Sequence, residues 1–405
     1  MQKNPNQPRV DDAVLGNQIP VPTDSVVVGG IEGIKSRLAS QVVVGRIAAL
    51  KEALNHWEAG LDLIISALHD ESDQVKLAAY SLLQQQKGIK VRQALQGFNH
   101  WQLLKCLCTF EGNSSRFIFI SISNFIPISS DGRRVFVGGY GGRIRICDWR
   151  TRTIQTQSLQ GHSEELEFSV ISSDEQKIIG GSHRDARIKT WDLQTGEILY
   201  SPIKEYSSGI NSITLCKDNQ TIIVGNYFGD IKVYNLQTAK LMFDLKAHSG
   251  SVQIALSPDE KTLVSGGGQT VKVWNWRKRE LLHTIEEPHG ATCLAVKCNN
   301  KILVSSNTNN KIKVRDLRTA ERLTVLNETP NKINNLAISP DGQTIISGVG
   351  TGKINVWNWQ KRDLKHTIEA HSSRIDSLYF APNGQTIVST SQGEVKVWGL
   401  EFTQA

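Results

Sequence analysis

TVKVWNW, residues 270–276, decides the fold, because the chain repeats it six more times in altered form. The other copies are RIRICDW (143–149), RIKTWDL (187–193), DIKVYNL (230–236), KIKVRDL (311–317), KINVWNW (353–359) and EVKVWGL (394–400). Successive copies begin 44, 43, 40, 41, 42 and 41 residues apart. So even a period marks one supersecondary unit copied in series, each copy burying its apolar face against its neighbours. Within a copy, apolar and polar side chains alternate, the period of a β-strand. A turn precedes each strand, most clearly in ISPDGQTIISG (338–348), LSPDEKTLVSG (256–266), ISSDGRRVFVGG (128–139) and FAPNGQTIVST (380–390). Asp-Gly and Asn-Gly supply the turn dihedrals, and the β-branched runs that follow read as strands.

One unit is therefore a strand, an Asp-Gly turn, a second strand, a Gly/Ser turn, a third strand ending in a Trp-Asp-like pair, and a fourth. VWNWRKRELLHTIE (273–286) matches VWNWQKRDLKHTIE (356–369) at eleven of fourteen positions, which fits growth by duplication. These features resemble the WD-repeat family across about three quarters of the chain, and the resemblance implies a mainly β fold, a seven-bladed β-propeller. The family's Gly-His pair is intact at Gly161-His162 and altered at Ala247-His248, Pro288-His289 and Ala370-His371. Its buried Asp, six residues before the Trp, is present only as Asp185 before Trp191. The resemblance thus implies a structural hydrogen-bond network of His162, Asp185 and Trp191, with Ser182 near it. The other blades are expected to rely on packing alone.

A ring of sheets must hide its first and last edges, because unpaired strand edges invite association. Only GLEFTQA follows Trp398, too little for another strand. LLKCLCTFEGNSS (103–115) resembles the family's outer strand and turn, so residues 103–110 are expected to pair with the last blade. The propeller then occupies 101–405.

Residues 1–30 carry four prolines, lie in a largely polar stretch, and read as a flexible leader. Residues 31–100 change to helical spacing. Val43, Ile47, Leu50, Leu54 and Trp57 form one apolar stripe, with Gly60 expected to break that helix. Further stripes run through Leu61, Ile64, Ile65 and Leu68, then Val75, Ala78, Ala79, Leu82 and Leu83, and last Val91, Leu95 and Phe98. GLDLIISALHDESDQVKLAAYSLL (60–83) resembles a HEAT-type helical hairpin. A degenerate hairpin leading into WD repeats is similar to repeat proteins of cyanobacteria. With fewer than the ~3 repeats a solenoid needs, its apolar faces are expected to rest on the propeller or on a second molecule.

The chain has 405 residues, a net charge of +7 and 39% hydrophobic residues, consistent with a packed core. No basic segment followed by an apolar run opens it, so no secretory signal is expected. No stretch approaches ~18 uninterrupted apolar residues, so no membrane span is expected. The six cysteines form no CxxC pair. They read as buried free thiols in a reducing compartment, which makes the cytoplasm the expected location.

Chemistry is hard to find. GVGTGK (348–353) lacks the first glycine of a phosphate loop, and Ile354 replaces its Ser/Thr. The ten histidines show no metal-ligand spacing. No nucleophile elbow is present, so no catalytic residue, metal site or cofactor is assigned and the chain does not read as an enzyme. Arg145, Lys189, Lys232, Lys272, Lys313 and Lys396 share the third position of the repeat. They read as packed strand residues with aliphatic stems over neighbouring blades rather than as a nucleic-acid groove.

The second-to-third turns lie on the end that carries the links between blades, the usual partner surface of the family. On the first three blades they present Tyr140, then His183 with Arg184, then Tyr227 with Phe228; the link into the third blade adds Tyr206. An aromatic and basic cluster of this kind has the composition of an interaction hot spot; the alternative reading is that some of these rings fold back to plug the channel. The expected function is a non-catalytic intracellular scaffold holding a protein partner at the propeller mouth. The alternative is a regulatory or sensor subunit taking a peptide or small ligand in the central channel, and a nucleic-acid-associated factor ranks third. The partner, pathway and oligomeric state are not written in the sequence.

Overall fold

The computed structural model describes residues 30–110, 128–129, 131–139, 143–159, 168–182, 187–204, 209–288, 290–297, 301–327 and 331–401. The chain divides into two compact units, Met1–Phe98 and Asn99–Ala405.

The described part of the first unit is helical. It comprises α1 (Gly30–Leu38), α2 (Val43–Ala53), α3 (Trp57–Ser66), α4 (Asp73–Gln84) and α5 (Ile89–Gly97). Its core holds Ile34, Leu50, Ile64, Val75, Leu83 and Val91, which are buried at helical spacing. The sequence expectation for Gly60 needs correction. Gly60 lies buried inside α3, because a Cβ there would sit 1.8 Å from the Ala53 carbonyl oxygen. The break falls earlier, at the 3₁₀ turn Leu54–His56, after which Trp57 takes a left-handed φ of 45°. The same break turns Trp57 out of the expected stripe and leaves it 90% exposed.

The second unit is a seven-bladed β-propeller, mainly β as its repeats require. Six sheets have four antiparallel strands. Blade one has three described strands, Arg134–Gly139, Arg143–Asp148 and Thr153–Ser158, with Ile128 bridged to Val135 on the inner side. Each repeat segment found in the sequence is the third strand of a blade, and the next strand along the chain lies outside it. The seventh blade takes its outer strand from before the first: Lys105–Phe110 pairs antiparallel with Glu394–Gly399, from Lys105 opposite Gly399 to Phe110 opposite Val395.

Local chemistry sets the first-to-second turns. Ser129, Ser172, Ser257 and Ser339 donate to Asp131, Asp174, Asp259 and Asp341 two residues on, at 2.5–2.7 Å. The same serine oxygens accept a backbone N–H five residues on, closing the turn. The hydroxyls hold the Asp131 and Asp174 carboxyls below their usual range. In blade three Cys216 occupies the serine position, and burial pushes its thiol up to about 12. All five described cysteines are free; Cys108, Cys147, Cys216 and Cys293 are buried, whereas Cys106 on the closing strand is exposed. That last is a correction to the buried-thiol expectation, and it follows from the position of Cys106 on an outer edge strand.

Adjacent blades share their cores. Ile223, Ile231 and Val233 of blade three pack with Val252, Ile254, Leu263 and Trp274 of blade four. Inner-strand side chains also latch onto the next blade: Ser212 Oγ donates to Val252 O at 3.0 Å, Cys293 Sγ to Asn334 O at 3.0 Å and Asn335 Nδ2 to Asp376 O at 2.7 Å. Neighbouring blades are thus tied to one another through their inner strands.

Candidate functional site

Of the six residues expected at the mouth, Tyr227 and Phe228 are described, and Tyr140, His183, Arg184 and Tyr206 lie outside the described residues. The turn carrying Tyr227 and Phe228 joins Thr221–Asn226 to Asp230–Asn235. Asn226 is buried, and its Oδ1 accepts the N–H groups of Phe228 at 3.0 Å and Asp230 at 2.9 Å. Gly229 has φ +98°, and a Cβ there would lie 1.7 Å from His248 O, so only glycine fits. Its own carbonyl accepts Ala247 N and His248 N, both at 2.9 Å, which ties the turn to the link into blade four. Tyr227 N donates to Gly209 O at 3.3 Å, and the tyrosine ring lies over Gly209, where a Cβ would approach it to 2.6 Å. Pinned at both ends, the turn leaves Tyr227 40% and Phe228 63% exposed. The matching turns of later blades carry Gly268-Gln269, Asn309-Asn310, Thr351-Gly352 and Gln392-Gly393, so the described mouth is apolar on one side only.

His162 and Asp185 also lie outside the described residues, as does the Ser182 side chain; Trp191 is fully buried. The expectation that the other blades rely on packing alone is corrected by three of them. In blade four, Trp274 Nε1 donates to Ser265 Oγ at 2.9 Å, and that hydroxyl meets His248 Nε2 at 2.9 Å. In blade seven, Trp398 Nε1 donates to Ser389 Oγ at 2.9 Å, with His371 Nε2 at 2.8 Å. In blade six, Trp357 Nε1 donates to Ser347 Oγ at 3.1 Å. The second histidine nitrogen is held by Thr270 at 3.1 Å and by Glu394 at 2.7 Å. Both partners sit four residues before the tryptophan rather than six, and neither is an aspartate, so the family spacing does not mark them. A Ser nine or ten residues before the Trp was the readable signal.

Burial, helped by the charge of Lys272, pushes His248 down to about 4. Burial also lowers His371, against the pull of Glu394. Both rings are thus neutral at pH 7 in the folded chain, whereas an unfolded histidine takes a proton near pH 6.5. Below that pH the unfolded state binds more protons, so stability is complete above pH 6.5 and falls as the pH drops towards 4. For His248, allowing for its partial exposure, the loss is about 1–2 kcal/mol. Thermal melts between pH 7 and pH 4.5 should fall by several degrees, and His248→Gln should flatten the slope. A melting temperature independent of pH over that window would refute the neutral-ring network.

The basic positions are engaged by the fold. Lys272 Nζ donates to Ala247 O at 2.5 Å and Lys396 Nζ to Ala370 O at 2.9 Å, each closing its own blade onto the preceding link. Lys189 is buried. In blade five Lys313 instead pairs with Glu287, a carboxylate only 1% exposed, which also meets Arg315 at 3.3 Å. Among the described residues no cluster of His, Cys, Asp or Glu is placed to hold a metal ion.

Comparison with known proteins fits this geometry. The WD40 family model, described as WD domain, G-beta repeat, matches residues 239–275, 320–358 and 362–399. The chain carries WD40 repeats. Each match runs from an outer strand through the next blade's first three strands, and together they support a place among WD-repeat propellers. Similar proteins include a U3 small nucleolar RNA-associated protein 15 homolog of Xenopus laevis, 29% identical over 45% of this chain and 36% of its own length. The target of rapamycin complex subunit wat1 of Schizosaccharomyces pombe is 25% identical over 42% of this chain and 54% of its own. Human apoptotic protease-activating factor 1 is 23% identical over 46% and 15%. The chain thus spans just over a third of the first of these relatives, and the likeness to WD-repeat propellers is one of repeats rather than whole proteins.

Proposed function

We propose that this chain is a non-catalytic protein-interaction scaffold that presents its propeller mouth to a partner protein in the cytoplasm. The observation that carries this reading is the Tyr227-Phe228 turn: two exposed aromatic rings on a backbone fixed by Asn226, Gly229 and Gly209. Exposed aromatics held rigidly lose little entropy on binding and make good anchors. Tyr140, His183, Arg184 and Tyr206 are proposed as the rest of the same surface. The names of two relatives, an RNA-associated protein and a complex subunit, suit membership of an assembly.

The test is Tyr227→Ala with Phe228→Ala, followed by capture of partners from the native cell. The double variant is expected to melt within a degree or two of the parent and to lose at least about 30-fold in partner affinity, the weight of one strong anchor. An unchanged set of captured proteins would remove the mouth from consideration. Loss of the set on ribonuclease treatment, with strong salt dependence, would instead favour a nucleic-acid-associated role.

A further inference from the structure

We infer that the channel, at the end opposite Tyr227 and Phe228, holds a binding site for a small uncharged aromatic molecule of one fused ring system. The inference is independent of the partner surface proposed above.

It begins with one register position of the inner strands. The residues opposite Ile179, Ile223, Val264, Val304, Ile346 and Val388 are Val170, Thr214, Ala255, Ala295, Ala337 and Tyr379. Three successive blades carry alanine where their neighbours carry larger side chains. Beside these alanines lies a hollow of about 210 Å³. It is bounded by residues of blades one and four to seven, among them Leu256, Tyr379 and Phe380. Pro382, in the first-to-second turn of blade seven, also lines it, which places the opening at the turn end of the inner strands. Leu256, Ala295, Ala337 and Phe380 are half-buried, so the hollow is reachable from that end.

The chemistry of the wall selects the ligand. Among the described lining residues none is charged, and Tyr379 is the one with a polar side-chain group. A charged ligand would lose hydration there with no charged side chain to replace it. An apolar cavity of ~150 Å³ already retains a benzene ring, so about 210 Å³ accommodates a fused pair of rings such as indole. Tyr379 and Phe380 are among the lining residues, and aromatic rings favour offset or edge-on packing with one another.

The test uses the full chain, with indole as probe and benzoate as the charged control of similar shape. Indole is expected to raise the melting temperature saturably and benzoate to leave it unchanged. Ala337→Leu fills the hollow and should weaken the indole response at least tenfold. Ala295→Leu fills it from the neighbouring blade and serves if the first variant does not fold. The Tyr227→Ala, Phe228→Ala double variant should respond to indole as the parent does, so the two surfaces fail separately. No shift with indole, an equal shift with benzoate, or an undiminished shift in the filled chain would each overturn the site.

Discussion

A chain beginning at Asn99 is expected to fold as a propeller, whereas one beginning at residue 111 is expected to unfold far more readily. The twelve residues between these starting points contain the strand Lys105–Phe110, and with it the outer edge of blade seven. They also contribute buried Trp101, Leu103, Cys108 and Phe110. Trp101 packs with Ile354 and Ile368 of blade six and Trp398 of blade seven, and Phe110 with Val135 of blade one and Val395 of blade seven. Losing Trp101, Leu103 and Phe110 at about 2 kcal/mol each removes on the order of 6 kcal/mol, a large share of the ~5–15 kcal/mol that holds a typical protein. Loss of pairing along Glu394–Gly399 also leaves a raw strand edge, so self-association is expected. Urea melts and size-exclusion profiles of the two chains check this. Equal midpoints would mean that the ring does not depend on its closing strand.

Glu287→Ala is expected to be the most damaging single substitution in blade five. The link position that Glu287 occupies is Ala247 before blade four and Ala370 before blade seven, each with its N–H on the preceding turn. Arg315 stands where the other blades have Trp274 and Trp398, opposite Leu303. A carboxylate and a guanidinium therefore replace an alanine and an indole, and Lys313 completes the set. Removing the carboxylate leaves two cations, each only 13–14% exposed at the side chain, without their counter-ion. Breaking such a buried pair costs about 3–5 kcal/mol. Adding Arg315→Trp should recover more than half of the loss, because buried Ser305 already waits opposite Lys313 to accept the indole N–H. A double-mutant cycle by urea denaturation measures the coupling; additive losses would show that the two positions act apart.

The propeller was legible because its repeat carries two independent signals, a strand-like alternation and a turn with Asp-Gly or Asn-Gly at fixed spacing. The network was legible only in part. Trp191 and the aspartate six residues earlier fit the family pattern in sequence, whereas Thr270 and Glu394 hold His248 and His371 from a register the pattern does not name. Glu287 was invisible for a different reason: its value lies in Arg315 and Lys313, 28 and 26 residues away, and no local rule joins them. Helix periodicity placed Leu50 and Ile64 correctly in a core. It misjudged Gly60, since a glycine that breaks a helix and one that lets two helices touch look alike in sequence. At the mouth, exposed aromatics were readable as turn residues, but the backbone pins that hold Tyr227 and Phe228 in place were not.

Because Lys105 finds its partner in Gly399, the strand made first waits for the strand made last. At ~5–20 residues per second, the ribosome needs on the order of 15–60 s to supply that partner. Throughout that interval the Lys105–Phe110 edge lacks the strand it pairs with. Translation stalled within the last repeat is expected to leave the Lys105–Phe110 edge unpaired and the released chain prone to associate through it.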